Sequence, residues 1–242
     1  MINKKLLICI CFHFVEERIV FLKKIVENIL NYEINTHIVI DTNKSFDFFS
    51  EHKNISIIEH NNLGHPFYLT WMHRKNILNK INDYDYFMYI EDDILLPYEN
   101  FIYYIENFSK LYEINCVPSF IRLEEKNNEL YIVDLVNLQY DRPTLKFENQ
   151  TFVNLDAPYH GFWILPQKEL KESINENFAI QTDSRETAAS YVIWTLGKTP
   201  YVLLGGKNIS KLCWSYHLPN NYTSYSWSPH GKIKYDSVTF DN

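Results

Sequence analysis

Three consecutive carboxylates follow an apolar run in the stretch YFMYIEDDILLP, residues 86–97. Glu91, Asp92 and Asp93 repel one another at the end of a buried strand unless a cation, hydrogen bonds or full solvation offsets their charge. A divalent metal would supply that charge, and Mg²⁺ or Mn²⁺ is commonly held by one or two carboxylates, a substrate phosphate and water. The alternative is a solvated acidic turn that caps a helix starting near Pro97. The triplet alone leaves both interpretations open.

His217 is a further candidate metal ligand. It follows the last predicted strand, in CWSYHLPNNY, and a neutral imidazole is a ligand that Mn²⁺ accepts. The alternative is a surface histidine or a hydrogen-bonded core histidine. The chain has only 6 Gly and contains neither GxxxxGK[ST] nor GxGxxG, so the usual backbone cradles for phosphate are absent. Phosphate charge would therefore need a metal.

Other residues near the acidic stretch could bind a ligand or carry chemistry. Arg74 lies on a predicted helix before the acidic strand, where it could pair with a carboxylate or a diphosphate, or stay a surface charge. Gly64, in NNLGHP, would let a loop pass close to a ligand, although a turn before Pro66 explains it equally. Glu186 opens a predicted helix over residues 184–197, where it could be a general base or could favour the helix N-terminus.

The first part of the chain alternates predicted strands with predicted helices. The strands cover residues 5–14, 35–43, 55–60 and 84–90, and the helices cover residues 16–30 and 71–81. This order predicts an α/β fold, a single domain with a mostly parallel central sheet flanked by helices. Ligands of such sheets bind at the carboxyl ends of the strands. Asp41, the segment after His60 and the acidic triplet all fall at that edge.

The second part mixes strands with helices. Helices are predicted over residues 98–113, 167–174 and 184–197, and strands over residues 118–125, 129–136 and 160–166. The segment from Asn220 onward is polar and aromatic without a clear period, which predicts a flexible lid or a loosely packed terminus.

Composition narrows the classes of partner. The chain has 242 residues, 46% of them hydrophobic, enough for a substantial core. Its net charge of -7 gives no reason to expect nucleic acid or anionic lipid as a partner. The four cysteines lack the paired spacing of a zinc site.

The opening run MINKKLLICICFHF has the charged and apolar regions of a signal peptide but no small-residue cleavage site, so a first buried strand is the better interpretation. No run reaches the ~20 apolar residues of a membrane span. We therefore expect a soluble, cytoplasmic protein, with a peripheral contact to a membrane left open.

The order of these parts resembles the GT-A fold of nucleotide-sugar-dependent glycosyltransferases. YFMYIEDD resembles the DXD strand of that superfamily, and HRKNILNKINDYDYFMYIEDD is similar to its ARNxG...GDYIxFLDDD run. YHGFWILPQKEL resembles its acceptor-side strand and helix, and SRETAASYVIWTLGKTPYV is similar to its xED helix. The resemblance extends from Lys5 to His217.

The resemblance implies roles for most of the candidate residues. Asp93 is implied as the firmest metal ligand, Glu91 as a ligand of the metal or the ribose, Asp92 as a supporting residue and His217 as the C-terminal metal ligand. Asp41 is implied as the residue that binds the nucleotide base, Arg74 and Asn76 as donor-binding residues and Glu186 as the catalytic base. Gly64 is a candidate donor-binding residue from its loop alone. A base at Glu186 would deprotonate an acceptor hydroxyl for attack with inversion. Without that base, a retaining mechanism is expected.

The implied activity is transfer of a sugar from a nucleoside diphosphate sugar, a UDP-sugar first of all, to a hydroxyl of a glycan or glycolipid, with Mn²⁺ or Mg²⁺. Residues 1–97 would form the nucleotide-sugar-binding half, residues 98–219 the acceptor-binding half and residues 220–242 the tail or lid. The alternatives are a nucleotidyltransferase and a GT-A-shaped carbohydrate-binding domain without turnover.

Overall fold

The chain is mixed α/β, as predicted, in a computed structural model that describes residues 3–135, 142–156, 158–182 and 184–240. The strands of the described residues are β1 (Lys5–Phe12), β2 (Asn35–Thr42), β3 (Ile55–Glu59), β4 (Tyr86–Glu91), β5 (Ile94–Leu95), β6 (Cys116–Pro118), β7 (Ile121–Lys126), β8 (Glu129–Ile132), β9 (Thr144–Phe147), β10 (Gln150–Asn154), β11 (Phe162–Pro166), β12 (Thr199–Gly205), β13 (Asn208–Ile209), β14 (Trp214–His217) and β15 (Ile233–Lys234). Their α-helices are α1 (Ile19–Leu30), α2 (Met72–Lys80), α3 (Tyr98–Glu113), α4 (Gln167–Ser173) and α5 (Arg185–Ala189). Within these described ranges, no helix is long and apolar enough to cross a membrane.

The chain divides into two compact units. The first comprises Met1–Asp93 and Gly161–Leu196, and the second comprises Ile94–His160 and Gly197–Asn242. Residues 161–196 therefore return to the first unit, a connection that the local sequence pattern does not reveal.

The first unit contains a sheet with the strand order β11-β4-β1-β2-β3. β4, β1, β2 and β3 are parallel, and β11 pairs antiparallel with β4 at one edge. The predicted mostly parallel sheet is thus confirmed for this unit. Central parallel strands are covered on both faces, which explains why residues 6–10 of β1 are all fully buried. Cys11 lies opposite Asp41 on one side and opposite Glu91 on the other, so these two carboxylates share the carboxyl edge.

The helix after β1 begins with a short 3₁₀ turn over Glu16–Arg18 and continues as α1. Its buried side chains have helical spacing: Leu22, Ile25, Val26 and Ile29. The 3₁₀ turn places Arg18 just beyond the carboxyl end of β1. The helix predicted over residues 71–81 is present as α2, preceded by a 3₁₀ helix over Pro66–Trp71.

The helix predicted over residues 184–197 is much shorter in the structure. α5 starts behind Ser184, whose side-chain oxygen accepts the backbone N–H of Thr187. After α5 ends, Tyr191–Thr195 form a separate π-helical turn. The prediction of one continuous helix is therefore wrong.

Side chains from elsewhere in the first unit account for this early end. Trp163 Nε1 donates to the carbonyl of Ala188 at 3.2 Å, and Arg74 Nη2 donates to the carbonyl of Thr187 at 3.3 Å. A continued α-helix would use these carbonyls for its next turn. The two side chains compete with the backbone N–H groups of the next turn for these carbonyls, so α5 ends here. The turn that follows is π-helical, a geometry often found near functional sites.

The second unit is built from antiparallel and mixed sheets. One sheet has the order β13-β12-β10-β9 with β6 beside β12, and the other has the order β15-β8-β7-β14-β5. α3 covers the range predicted from its pattern, residues 98–113, and packs against β6. The strand predicted over residues 118–125 is divided into β6 and β7, and the last residue of the strand predicted over residues 129–136 lies outside the described residues.

The segment that follows Asn220 packs into the second unit. Val238 and Phe240 are 2% and 5% exposed and belong to its hydrophobic core. The prediction of a loosely packed terminus is therefore wrong for residues 220–240, while a lid function stays a prediction. Residues 241–242 lie outside the described residues.

A substitution at Gly231 tests how the segment after Asn220 packs. A Cβ added there would lie 2.9 Å from the Thr223 backbone nitrogen, and its φ of +66° already disfavours other residues. Gly206 has a similar φ of +75° with nothing within 4 Å of its Cβ position. We expect Gly206→Ala to cost about 1–2 kcal/mol from the backbone conformation alone. Gly231→Ala should cost at least about 1 kcal/mol more, because neighbouring backbone must move.

Urea unfolding followed by far-UV circular dichroism measures both costs. Equal losses in the two variants would show that residues 222–223 do not pack against Gly231 as described.

Candidate functional site

Arg18 is the cation that balances part of the acidic triplet. Its Nε donates to Asp92 Oδ2 at 2.8 Å, and its Nη2 donates to Asp92 Oδ1 and, at 2.9 Å, to Asp93 Oδ2. Asp92 and Asp93 are buried, whereas the Arg18 side chain is 35% exposed. A forked contact with Asp92 and a single contact with Asp93 therefore bring a positive charge to the end of β4.

One guanidinium does not offset all the negative charge at this edge. Burial, together with the neighbouring Asp93, raises the pKa of Asp92 to about 7, although Arg18 acts in the opposite direction. Burial would lower the pKa of Arg18, but hydrogen bonds and charges of Asp92 and Asp93 raise it. The edge thus favours additional positive charge, either as protons or as a bound cation.

Glu91 is the last residue of β4, and its backbone N–H donates to the Gly161 carbonyl at 2.9 Å. Cys11 lies opposite it in the sheet. Burial, followed by the charges of Asp92, Glu91 and Asp41, raises the pKa of Cys11 well above its ordinary value. The thiol therefore stays protonated near neutral pH, which leaves carboxylate oxygens as the donors of this edge.

Asp41 contacts both Asn76 and His60. Asn76 Nδ2 donates to both Asp41 oxygens at 2.9 and 3.1 Å, and His60 Nε2 donates to Asp41 Oδ1 at 2.7 Å. Burial raises the pKa of Asp41 above its ordinary value, against the opposing effect of these contacts. The three residues form one polar cluster where β2 and β3 end.

An open pocket of ≈ 270 Å³ lies beyond the carboxyl ends of β1, β2 and β3. Most of its lining is histidine and asparagine; the residues are His13, Asn43, His60, Asn61, Asn62, Leu63, Gly64, His65 and Pro66. Gly64 has a φ of +74°, so the tight turn that the sequence suggested also lines a pocket. The lining offers many hydrogen-bonding groups, and His60 connects it to Asp41.

Arg74 is buried in an aromatic cage rather than at the acidic edge. Its Nη1 donates to the Phe178 carbonyl at 2.8 Å, and its guanidinium carbon lies 4.4 Å from the Trp71 ring centre and 4.7 Å from that of Tyr191. Burial lowers the pKa of Arg74 to about 10. These contacts hold the end of α5, and Arg18 takes the position near the carboxylates that the sequence suggested for Arg74.

Glu186 lies in the first turn of α5, where its side chain is 44% exposed and pairs with Arg185 Nε at 3.2 Å. The placement suits both interpretations of the sequence, an N-terminal helix carboxylate and a base open to an acceptor. Asp183, its acidic neighbour, lies outside the described residues.

His217 belongs to the second unit, where it ends β14 and pairs with Ile94 of β5. Its Nδ1 donates to Glu124 Oε1 at 2.6 Å. Burial alone would raise the pKa of Glu124, but His217 and the backbone amides of Thr223 and Tyr222 hold it below its ordinary value. A carboxylate on one ring nitrogen is a common way to orient a metal-binding imidazole through the other.

The donor set of the first unit fits a metal that is held by few protein ligands. The described residues contain no group of three or more His, Cys, Asp or Glu side chains arranged to hold a metal ion. Mg²⁺ and Mn²⁺ sites of phosphate-binding enzymes commonly use one or two carboxylates and complete the shell with substrate and water. Glu91 and Asp93 are two carboxylates of this kind at the end of β4, and Arg18 binds one oxygen of Asp93.

The sequence did not indicate three residues that contact the candidate site residues: Arg18, His60 and Glu124. Arg18 lies in the 3₁₀ turn after β1, and His60 follows β3 directly, so their position beyond strand ends was the available signal. Glu124 has no comparable signal, because its role depends on the pairing of β7 with β14.

No protein-family model matches the chain, and no curated protein is significantly similar to it.

Replacing Arg18 tests the charge balance. Arg18→Ala leaves Asp92 and Asp93 without the guanidinium, and we expect a loss of about 1–3 kcal/mol of unfolding free energy, less than for a fully buried ion pair because Arg18 is partly exposed. Arg185→Ala is the matched control, because Arg185 is exposed and pairs with an exposed carboxylate. It should change stability by less than about 0.5 kcal/mol.

Thermal unfolding with EDTA and with Mn²⁺ extends the test. If the carboxylates bind the metal, Mn²⁺ should raise the Tm of Arg18→Ala more than that of the wild type. A Tm that Mn²⁺ leaves unchanged in both proteins would contradict a metal site at this edge.

Proposed function

We propose that the protein is a metal-dependent glycosyltransferase of the GT-A type, which transfers a sugar from a nucleoside diphosphate sugar, first of all a UDP-sugar, to a hydroxyl of a glycan or glycolipid. The observation that carries the proposal is the carboxyl edge of the β4-β1-β2-β3 sheet. Asp41, Asp92 and Asp93 lie at this one edge, together with Arg18 and the polar pocket. Parallel α/β sheets bind nucleotides at such an edge.

The polar pocket and Asp41 are proposed to hold the nucleoside. The histidines and asparagines of the lining can donate and accept hydrogen bonds at a base edge, and Asp41, which is 1% exposed, is proposed to act on the nucleoside through His60. His60 and Asn76 fix the orientation of Asp41, because both donate to its Oδ1.

Asp93 and Glu91 are proposed to hold Mn²⁺ or Mg²⁺, and the ion would supply positive charge to the diphosphate that departs. Arg18 holds Asp92 and keeps a second positive charge beside Asp93. Asp92, bound by the guanidinium fork, is assigned to positioning Arg18. His217 as a ligand of the same metal stays a prediction.

Glu186 stays the proposed base. Its side chain is exposed enough to receive a proton from an acceptor hydroxyl, and such a base predicts inversion at the anomeric carbon. A retained configuration of the product would instead assign Glu186 to stabilising the N-terminus of α5.

The two alternative functions, a nucleotidyltransferase and a carbohydrate-binding domain, differ from the proposal in the product released or in the ligands needed. A nucleotidyltransferase also gathers carboxylates around Mg²⁺ but would release inorganic diphosphate instead of a nucleoside diphosphate. A carbohydrate-binding domain without turnover needs neither UDP nor Mn²⁺.

Incubation with a panel of nucleotide sugars tests the proposal. We expect release of a nucleoside diphosphate from at least one donor in Mn²⁺ and none in EDTA. Asp93→Asn should lower this release at least about 100-fold, because it removes the charge of a proposed ligand. Asp85→Asn, at the other end of β4, should leave it unchanged because Asp85 contacts Lys4 and the Lys5 backbone.

Far-UV circular dichroism checks that both variants fold. A wild type that neither binds nor cleaves any donor would overturn the proposal, and full activity of Asp93→Asn would overturn the ligand assignment.

A further inference from the structure

An exposed pair of stacked aromatic rings stands out on the second unit. Tyr225 and Trp227 have ring centres 5.1 Å apart and planes 18° apart. Trp227 is 76% exposed, more than any other large hydrophobic residue in the described ranges, and Tyr225 is 40% exposed. Exposed aromatic surface is unfavourable in water, so a stacked pair held at the surface points to a ligand.

The loop that carries the pair is fixed by hydrogen bonds on its N-terminal side. Glu124 accepts backbone N–H groups from Tyr222 at 3.1 Å and Thr223 at 2.7 Å. Lys232 Nζ donates to the carbonyls of Tyr222 at 2.9 Å and Tyr225 at 2.8 Å. These bonds set the backbone immediately before and within the aromatic pair.

The C-terminal side of the loop is fixed as well. The His230 backbone N–H donates to Ser228 Oγ at 3.1 Å, and His230 Nδ1 donates to the Val133 carbonyl at 2.9 Å. Gly231 lies against the backbone of Tyr222 and Thr223, as described above. The aromatic pair is therefore carried by a loop that is anchored at both ends, which lowers the entropy lost when a ligand binds.

We propose that Tyr225 and Trp227 form a binding platform for a pyranose ring of a glycan. One face of such a ring carries C–H groups that pack on an aromatic face, while its hydroxyls need polar partners at the rim. The stretch NNYTSYSWSPHG, residues 220–231, alternates Tyr and Trp with Ser, Thr and Asn. Rigid aromatic surface beside small polar side chains is the composition of binding loops for polar ligands.

Other partner classes fit this surface less well. A stable protein interface covers roughly 800 Å² on each partner, far more than two rings provide. Nucleic acid bases also stack on aromatic rings, but such sites need positive charge along the strand, and the chain has a net charge of -7. A single sugar ring matches both the size and the polarity of the platform.

The inference rests on the proposed function in one respect: in a glycosyltransferase, the glycan on this platform is the acceptor. The platform itself would equally bind a glycan in a domain without turnover. A test in the absence of donor and metal therefore separates the two claims.

Saturation-transfer NMR with soluble hexasaccharides of glucose, galactose, mannose and N-acetylglucosamine tests the platform, with calorimetry to measure the Kd of any that bind. We expect at least one to bind. Trp227→Ala should weaken that binding about 10-fold or more, and Trp227→Tyr should retain most of it. Trp194→Ala is the matched control, because Trp194 is 43% exposed and belongs to the first unit; it should bind as the wild type does.

Binding of no hexasaccharide at millimolar concentration would overturn the inference, as would equal affinity of Trp227→Ala and the wild type. Trp227-dependent binding to phosphatidylcholine vesicles without glycan binding would assign the pair to a membrane surface instead. Urea unfolding confirms that the exposed substitutions leave the fold intact. Glycan binding without nucleotide release would keep this inference while the proposed function fails.

Discussion

Adjacent carboxylates at the end of a buried strand need positive charge, and this requirement organises the edge of the first unit. Arg18 meets part of it through a fork on Asp92 and a single bond to Asp93. The raised pKa of Asp92 indicates that the balance is incomplete with Arg18 alone. A divalent cation would complete it, and a diphosphate would then bind where two kinds of positive charge meet.

The parallel sheet explains why nucleoside and diphosphate groups would share this edge. The register of β1 with both β2 and β4 sets Asp41 and Glu91 on either side of Cys11. The loops that leave β1, β2 and β3 line the polar pocket. The backbone pairing thus fixes the positions of Asp41 and Glu91 before any ligand binds, and the proposed nucleotide-sugar site would need such preorganisation.

Local patterns predicted the elements of the chain better than its long-range contacts. α3 has the predicted range because its apolar spacing is regular and Pro97 precedes it. A helix was also predicted over residues 184–197, but Arg74 and Trp163 take carbonyls that a longer helix would need. The acidic edge was predictable from strand order, whereas the choice of Arg18 over Arg74 depends on which arginine the fold brings to β4.

A crystal soaked with Mn²⁺ and UDP, with anomalous diffraction measured at the manganese edge, tests the central claim most directly. We expect an anomalous peak within coordinating distance of the Asp93 carboxylate, with the uracil in the polar pocket beside His60, the residue that contacts Asp41. A UDP molecule bound elsewhere, or a manganese peak remote from residues 91–93, would contradict it.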